Sequence, residues 1–297
     1  MAGPQLTGSG GGAPVPPILG YHKVDTRLEL GFTQVEPRVF RRQVERLAAA
    51  GCRALGSREL LERLAAPAAP GSSAGPRWPA AGAALPEAVV FTFDDGYAAL
   101  ARHAFPVLVA HGFKALVFVV SDYVGRENSW DVQYGWRRFA HLDWDTLAAW
   151  QERGIEVHSH GATHARLTWL ADRQIAEELE RSRESIAARL GRVPAAVSYP
   201  YGAADARVRG LAARAGYELG FLGPGRARPG GVRRDGTAPD PLALPRRVVY
   251  AWDRFRVPLV LGTSVLSRPG LALARFANRC AVGTAVIQRA LGRRYRA

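Results

Sequence analysis

Apolar residues along this chain fall into short runs of strand length, separated by stretches with helical spacing. Ile18 to Tyr21, Val89 to Phe93, Leu116 to Val120, Ile155 to Val157 and Ala196 to Tyr199 are brief and rich in β-branched or aromatic residues, which predicts buried strands. Between them, Phe40, Val44 and Leu47 recur at helical spacing after Pro37, a good first-turn residue, and Gly51 closes that segment. Asp143 and Asp172 read as N-caps. The second opens a helix from Arg173 to Leu190, with Ile175, Leu179, Ile186 and Leu190 as its apolar stripe before Gly191. A further β-α-β unit covers Asp205 to Phe221. This alternation predicts an α/β fold with a parallel sheet and helices outside, either a barrel or a doubly wound sheet. Both architectures put chemistry at the C-terminal ends of strands. Pro67 to Pro86 is dominated by Ala, Pro, Gly and Ser and reads as a surface insertion. Gly223 to Pro245, rich in Gly, Pro and Arg, reads as a loop over the site or an unstructured stretch. No internal repeat points to a solenoid or propeller.

Composition narrows the picture. With 297 residues, 47% hydrophobic and 22% charged, the chain has material for a full core, and disorder of the whole is excluded. Cys52 and Cys280 are the only cysteines, too few for a disulfide framework or a thiolate cluster, so any metal must use His and carboxylate. The longest apolar stretch, Val257 to Leu266, is interrupted by Gly262 and falls short of the roughly 18 residues of a bilayer span. Met1 to Pro17 is Gly- and Pro-rich without the basic and apolar regions of a secretory signal, so a cytoplasmic protein is expected. The net charge of +14 is unevenly placed: nine arginines and no acidic residue fall between Arg254 and Ala297. Such a tail suits an anionic membrane surface at the inner face or a phosphate-bearing partner, or else is a solvated helical terminus. No basic motif interleaved with aromatics supports a nucleic-acid partner. The expected organisation is a flexible segment at 1–17, a catalytic domain at 18–250 and a basic, partly apolar extension at 251–297.

Three motifs carry candidate chemistry. Val89 to Phe93 runs directly into Asp94, Asp95 and Gly96. Adjacent strand residues point to opposite sides, so one Asp is placed to bind a metal and the other to act as a base. A helix N-cap is the alternative use of the pair. The second motif is His158-Ser159-His160-Gly161-Ala162-Thr163-His164, which gathers three of the seven histidines just after a strand. His160 and His164 have spacing that lets two imidazoles converge on one ion. There is no Glu between them in the metalloprotease pattern, and Gly161 argues for a loop. Asp95 is the natural third ligand, and two His with one carboxylate leave open positions for catalysis. The third motif, Ser198-Tyr199-Pro200-Tyr201-Gly202, exposes backbone N–H groups suited to an oxyanion, with aromatics that wall a sugar or acyl pocket; it is also an ordinary turn sequence.

Together these residues resemble the polysaccharide deacetylase family, carbohydrate esterase family 4, over roughly Ile18 to Val249. Thr92-Phe93-Asp94-Asp95-Gly96 matches its first motif and His160 to His164 its His-x-x-x-His motif. The resemblance implies a distorted (β/α) barrel of about seven strands. It also implies one divalent metal ion, zinc foremost with cobalt or nickel as alternatives, and an N-acetylated glycan or glycolipid substrate. Carried over, Asp94 is the general base, Asp95, His160 and His164 hold the metal, and the Tyr201 N–H stabilises the oxyanion. Trp130, Asp131 and Tyr199, with Asn128, are expected to line the sugar site.

Three departures stand out. Gly161 takes the place of the family's Ser or Thr after the first motif His, removing a supporting hydrogen bond. The Arg that holds the catalytic Asp from the third motif is replaced by Ser198 or its neighbours, as in the exopolysaccharide branch. No His follows His164, so the family's usual general acid is absent. Ile18-Leu19-Gly20-Tyr21-His22 resembles the N-terminal strand of the circularly permuted members that act on poly-N-acetylglucosamine, which makes His22 the proton donor; His158 is the rival. The expected activity is removal of N-acetyl groups from an amino sugar. A non-catalytic glycan- or anionic-lipid-binding protein on the same fold is the competing class.

Overall fold

The computed structural model of the chain describes residues 15–27, 33–66, 85–128, 138–223 and 240–250. The expected C-terminal extension, most of the 67–86 insertion, Trp130 and Asp131 lie outside them. In chain order the elements are β1 (Ile18–Tyr21), β2 (Lys23–Val24), β3 (Gln34–Val35), α1 (Pro37–Ala49), β4 (Arg53–Ala54), α2 (Ser57–Ala65) and β5 (Ala88–Phe93). There follow α3 (Ala99–His103), α4 (Phe105–Ala110), β6 (Ala115–Val119), α5 (Trp144–Gln151), β7 (Ile155–Ser159) and α6 (Asp172–Leu190). The last are β8 (Ala196–Ser198), α7 (Ala206–Arg214), β9 (Leu219–Leu222), β10 (Leu244–Pro245) and β11 (Arg247–Val248).

The main sheet runs β10-β9-β8-β7-β6-β5-β1-β11 with every pairing parallel, and β4 is attached to β5. Only Arg246 separates β10 from β11, so one extended segment, 244–248, pairs with β9 at its start and with β1 at its end. That segment joins both edges of the sheet. With it taken as a single stave beside β1, β5, β6, β7, β8 and β9, the expected distorted barrel of seven strands is complete. The expectation of a loop through Pro245 is therefore corrected at its C-terminal end, where Leu244 and Pro245 pair with Phe221 and Leu222. Barrel closure removes the exposed edges an open sheet would leave.

Alternation along the strands sorts the core into two layers. Ile18, Val90, Leu116, Phe118, Ala196, Leu219, Phe221 and Leu244 pack inside the barrel, where Leu60 and Leu64 of α2 and Val15 join them. Val15 is buried and Pro17 O accepts the Val90 N–H at 2.9 Å, so residues just before β1 also pack against the barrel. Leu19, Tyr21, Phe91, Phe93, Val117, Val119, Ile155 and Val157 face the helices, meeting Val39, Phe40, Val44 and Leu47 of α1. Each fully buried aliphatic or aromatic side chain of this kind contributes about 1.5–3 kcal/mol. The caps follow local chemistry: Asp143 Oδ1 accepts from Thr146 N at 2.7 Å and Asp205 Oδ1 from Val208 N at 2.8 Å. Asp172 is not a cap as expected. The N-cap is Ala171, whose N–H is taken by the Gln174 side chain at 3.1 Å, and Asp172 instead pairs with Arg207. Among the described residues no helix is long and apolar enough to cross a membrane.

Candidate active site

Parallel strands end together, and here β1, β5, β7, β8 and the 244–248 segment deliver His22, Asp94 and Asp95, His160, Tyr201 and Arg246 to one end of the barrel. Asp94, Asp95, His160 and His164 are all buried. The three non-glycine residues with positive φ among the described residues are Asp95 (68°), His164 (62°) and Tyr201 (60°), and all belong to this cluster. Each such conformation costs roughly 1–2 kcal/mol, so it persists only where its surroundings dictate it. For Asp95 those surroundings are explicit. His141 Nδ1–H donates to the Asp95 carbonyl at 2.7 Å, with its ring stacked on Tyr97, and Gly96 follows at φ 67°. A Cβ on Gly96 would stand 2.9 Å from Val119 Cγ1, so both the turn and the close packing require glycine.

Asp95, His160 and His164 each offer one ligand atom within 4.8 Å of the others. Asp95 Oδ1 lies 3.4 Å from His160 Nε2 and 3.5 Å from His164 Nε2. Ligands held at roughly 2.0–2.1 Å around a tetrahedral ion stand about 3.3 Å apart, so the spacing fits a small divalent cation. Asp95 Oδ1 is buried with no hydrogen-bond donor aligned on it, which also fits a cation ligand. His160 Nδ1–H donates to Ser198 O at 2.6 Å, which fixes the tautomer that leaves Nε2 as the ligand atom. Burial opposes ionisation of Asp95, but His160 and His164 hold its carboxyl well below the usual range. Burial and the charge of His160 push His164 down to about 3, while Asp94 and Asp95 pull His160 up against its own burial. The alternative use of Asp94 and Asp95 as a helix cap is not what the fold does, since α3 is preceded by Ala98.

Asp94 has a partner that sequence reasoning missed. Arg246 Nη1 and Nη2 grip its two carboxylate oxygens at 2.8 and 2.7 Å. The same guanidinium donates to Thr92 Oγ1 at 3.1 Å, Ser198 Oγ at 3.0 Å and, through Nε, Leu222 O at 3.2 Å. All five of its N–H donors are thus used. Burial works against a charged Asp94, yet Arg246 and then His160 keep its carboxyl far below the ordinary value. The expected loss of the arginine is corrected. It comes from the seam of the barrel instead of the third motif, and Ser198 supports it. The available signal was a basic residue leading into Val248 and Val249, a short apolar run after a loop.

The remaining expected residues divide. His22 Nε2 lies 3.9 Å from Asp94 Oδ2, and burial lowers its pKa against the pull of Asp94 and Asp95. His158 faces into the barrel and meets Glu156 Oε2 at 3.2 Å, beside Phe118, so it is not at the strand ends with Asp94. The Tyr201 ring sits 4.9 Å from that of His164. Tyr199 is a correction: it is wholly buried with the α6 and α7 side chains, and its hydroxyl donates to Leu242 O at 3.1 Å, so it does not wall a sugar pocket. Asn128 is buried and donates to Tyr97 OH at 3.2 Å.

The fold has known counterparts. The Streptococcus pyogenes deacetylase PplD, solved with acetate, superposes with a TM-score of 0.64 at 20% identity, covering 83% of this chain and 99% of that one. IcaB from Ammonifex degensii gives 0.61 at 22% identity over 84% and 97%. The deacetylase domain of BpsB from Bordetella bronchiseptica gives 0.55 at 18% identity over 79% and 95%. In sequence, YxkH of Bacillus subtilis is 27% identical over 147 residues, which is 50% of this chain and 47% of that relative, so the match spans about half the length of each. The family model described as polysaccharide deacetylase matches residues 81–220, the span holding both carboxylates, both imidazoles and Tyr201, while His22 and Arg246 come from its flanks. Parallel barrel and motif residues agree with that match, and residues 81–220 of the chain are a match to the polysaccharide deacetylase family.

Proposed function

We propose that this protein is a metal-dependent carbohydrate N-deacetylase, which hydrolyses the acetamide of an N-acetylated amino sugar in a polysaccharide or lipid-linked glycan and releases acetate. The observation that carries the reading is the convergence of a two-His, one-carboxylate triad beside a second carboxylate gripped by a buried arginine. Asp95, His160 and His164 would hold a divalent cation, zinc foremost with cobalt or nickel as alternatives, which when bound would polarise the amide carbonyl and acidify water. Asp94, ionised and held by Arg246, accepts the proton of the attacking water. The Tyr201 N–H, carried on the left-handed turn at Pro200–Gly202, donates to the oxyanion. His22 is neutral at rest, and its Nε2 stands 3.9 Å from Asp94 Oδ2. The proton taken from water passes from Asp94 to His22 and then to the departing nitrogen, which balances the hydrolysis.

Against the competing reading as a non-catalytic glycan- or anionic-lipid-binding protein, Arg246 supplies the grip on Asp94 that a catalytic base needs. The nine arginines of 254–297 favour a substrate linked to lipid at an anionic surface, with the protein peripheral at the inner face of the membrane. The test is acetate release from N-acetylglucosamine oligomers and from a lipid-linked N-acetylglucosamine, with and without residues 254–297, beside Asp94→Asn. Acetate lost in Asp94→Asn and greater on the lipid-linked substrate is the expected result. No acetate from either substrate contradicts the activity, and truncation that leaves rate and membrane fractionation unchanged contradicts the membrane part.

A further inference from the structure

His160 and His164 are ligand candidates on one irregular loop, and an irregular loop cannot satisfy its own backbone donors. Here the donors go to one face of α6. Glu178 Oε2 accepts from Ala162 N at 3.1 Å and Thr163 N at 3.0 Å, and Oε1 accepts from Thr163 Oγ1 at 2.7 Å. One turn on, Ser182 Oγ lies 2.8 Å from Ser159 Oγ, which accepts from Gly161 N at 3.1 Å. The loop's carbonyls are taken from the other side, Gly161 O by Ser121 N and Ala162 O by Asp122 N. Glu178 is 4% exposed, and its cation neighbour, Arg181, stays 3.8 Å away with a side chain 56% exposed. A carboxylate this buried, neutralised so weakly, is costly for mere packing. What it supplies is three charge-assisted bonds on the residues just before His164, whose φ of 62° needs an external hold.

Gly161 completes the argument. Its φ is 78°, and a Cβ there would stand 3.4 Å from Glu178 Oε2, so the carboxylate occupies the side of the loop where a Ser or Thr side chain would otherwise lie. We propose that Glu178 is a positioning residue for the ion site: from α6 it sets the placement of His160 and His164 and takes over the support that Gly161 cannot give. This inference rests on the metal-dependent reading above.

The experiment is zinc affinity of metal-stripped full-length protein, by competition with a chromophoric chelator, together with the unfolding midpoint of the metal-free form. Glu178→Gln keeps an acceptor for both backbone N–H groups and is expected to bind zinc within about threefold of the parent protein, whereas Glu178→Ala is expected to weaken it roughly 10–100-fold while still folded at the assay temperature. Folded Glu178→Ala with parent affinity overturns the proposal, because a purely structural role moves the midpoint and not the affinity. Should Glu178→Ala not fold, Thr163→Val removes a single bond at a partly exposed position; a loss of about threefold to tenfold supports the proposal and an unchanged affinity overturns it. If the parent protein and His160→Ala bind zinc equally poorly, the metal reading itself has failed and this proposal falls with it.

Discussion

Arg246 closes the barrel and holds the proposed base at once, so its removal makes a sharp test. Replacing it with Met keeps most of the stem but leaves the Asp94 carboxylate buried without its cation, and frees Thr92 Oγ1, Ser198 Oγ and Leu222 O from their shared donor. Both partners are almost fully enclosed, with side-chain exposures of 2% and 4%. Breaking a buried pair from one side costs about 3–5 kcal/mol, a large share of the roughly 5–15 kcal/mol that holds a domain together. At a slope near 2 kcal/mol per molar urea, the unfolding midpoint should fall by about 2 M. The Asp94→Asn, Arg246→Met double variant discards both charges and should be less damaged than the sum of the single variants, giving a coupling above about 2 kcal/mol. Arg246→Lys should fall between, since an ammonium cannot span the fork and reach Leu222 O. The assay is urea unfolding of the parent, the two single variants, the double variant and Arg246→Lys at neutral pH. An Arg246→Met variant within about 1 kcal/mol of the parent, or a cycle additive within about 0.5 kcal/mol, refutes the reasoning.

His22→Ala should lower kcat by roughly 10²–10⁴ while zinc affinity holds, measured by acetate release and metal competition; unchanged kcat removes His22 as the acid. Tyr199→Phe, which deletes only the bond to Leu242 O, should cost about 1 kcal/mol in unfolding and leave kcat and KM intact, whereas a raised KM would restore it to the sugar site. Burial opposes ionisation of Glu156, but His158 and the Ser57 N–H bring it from 4.5 down to about 2. A depressed carboxylate contributes stability that is complete above its unfolded value and lost as pH falls through its folded one. Glu156→Gln should thus trail the parent by about 1–3 kcal/mol at pH 7, the gap narrowing between about pH 4.5 and pH 2. A gap that does not change with pH contradicts that account.

The local parts of this molecule were readable from its residues. All five expected strands exist within one or two positions of their expected bounds, because each is a short, mainly apolar run in which every position but Glu156 is buried. The carboxylate pair and the imidazole pair were readable because each lies within a few residues at a strand end. Arg246 was not. It meets Asp94 across 152 residues of chain, and the strands on either side of it are two residues long, too short for any periodicity to register. Tyr199 was misplaced for a different reason. Ser198 points inward to Arg246, so strict alternation sends the next side chain outward to α6 and α7, and the turn motif drew it to the site instead. The bonds from Glu178 to the loop carrying His160 and His164 are likewise a tertiary fact, since a Glu beside the apolar stripe of a helix carries no mark of burial.

The central claim is that one cation at Asp95, His160 and His164 turns this barrel into a deacetylase. It is tested most directly by titrating zinc into metal-stripped protein while following acetate release from N-acetylglucosamine oligomers and a lipid-linked N-acetylglucosamine. The account predicts activity that rises to a plateau at about one equivalent of zinc and is absent at every zinc concentration in Asp95→Asn and His160→Ala. Acetate release by the stripped protein at the plateau rate, or undiminished release by both variants, would contradict it.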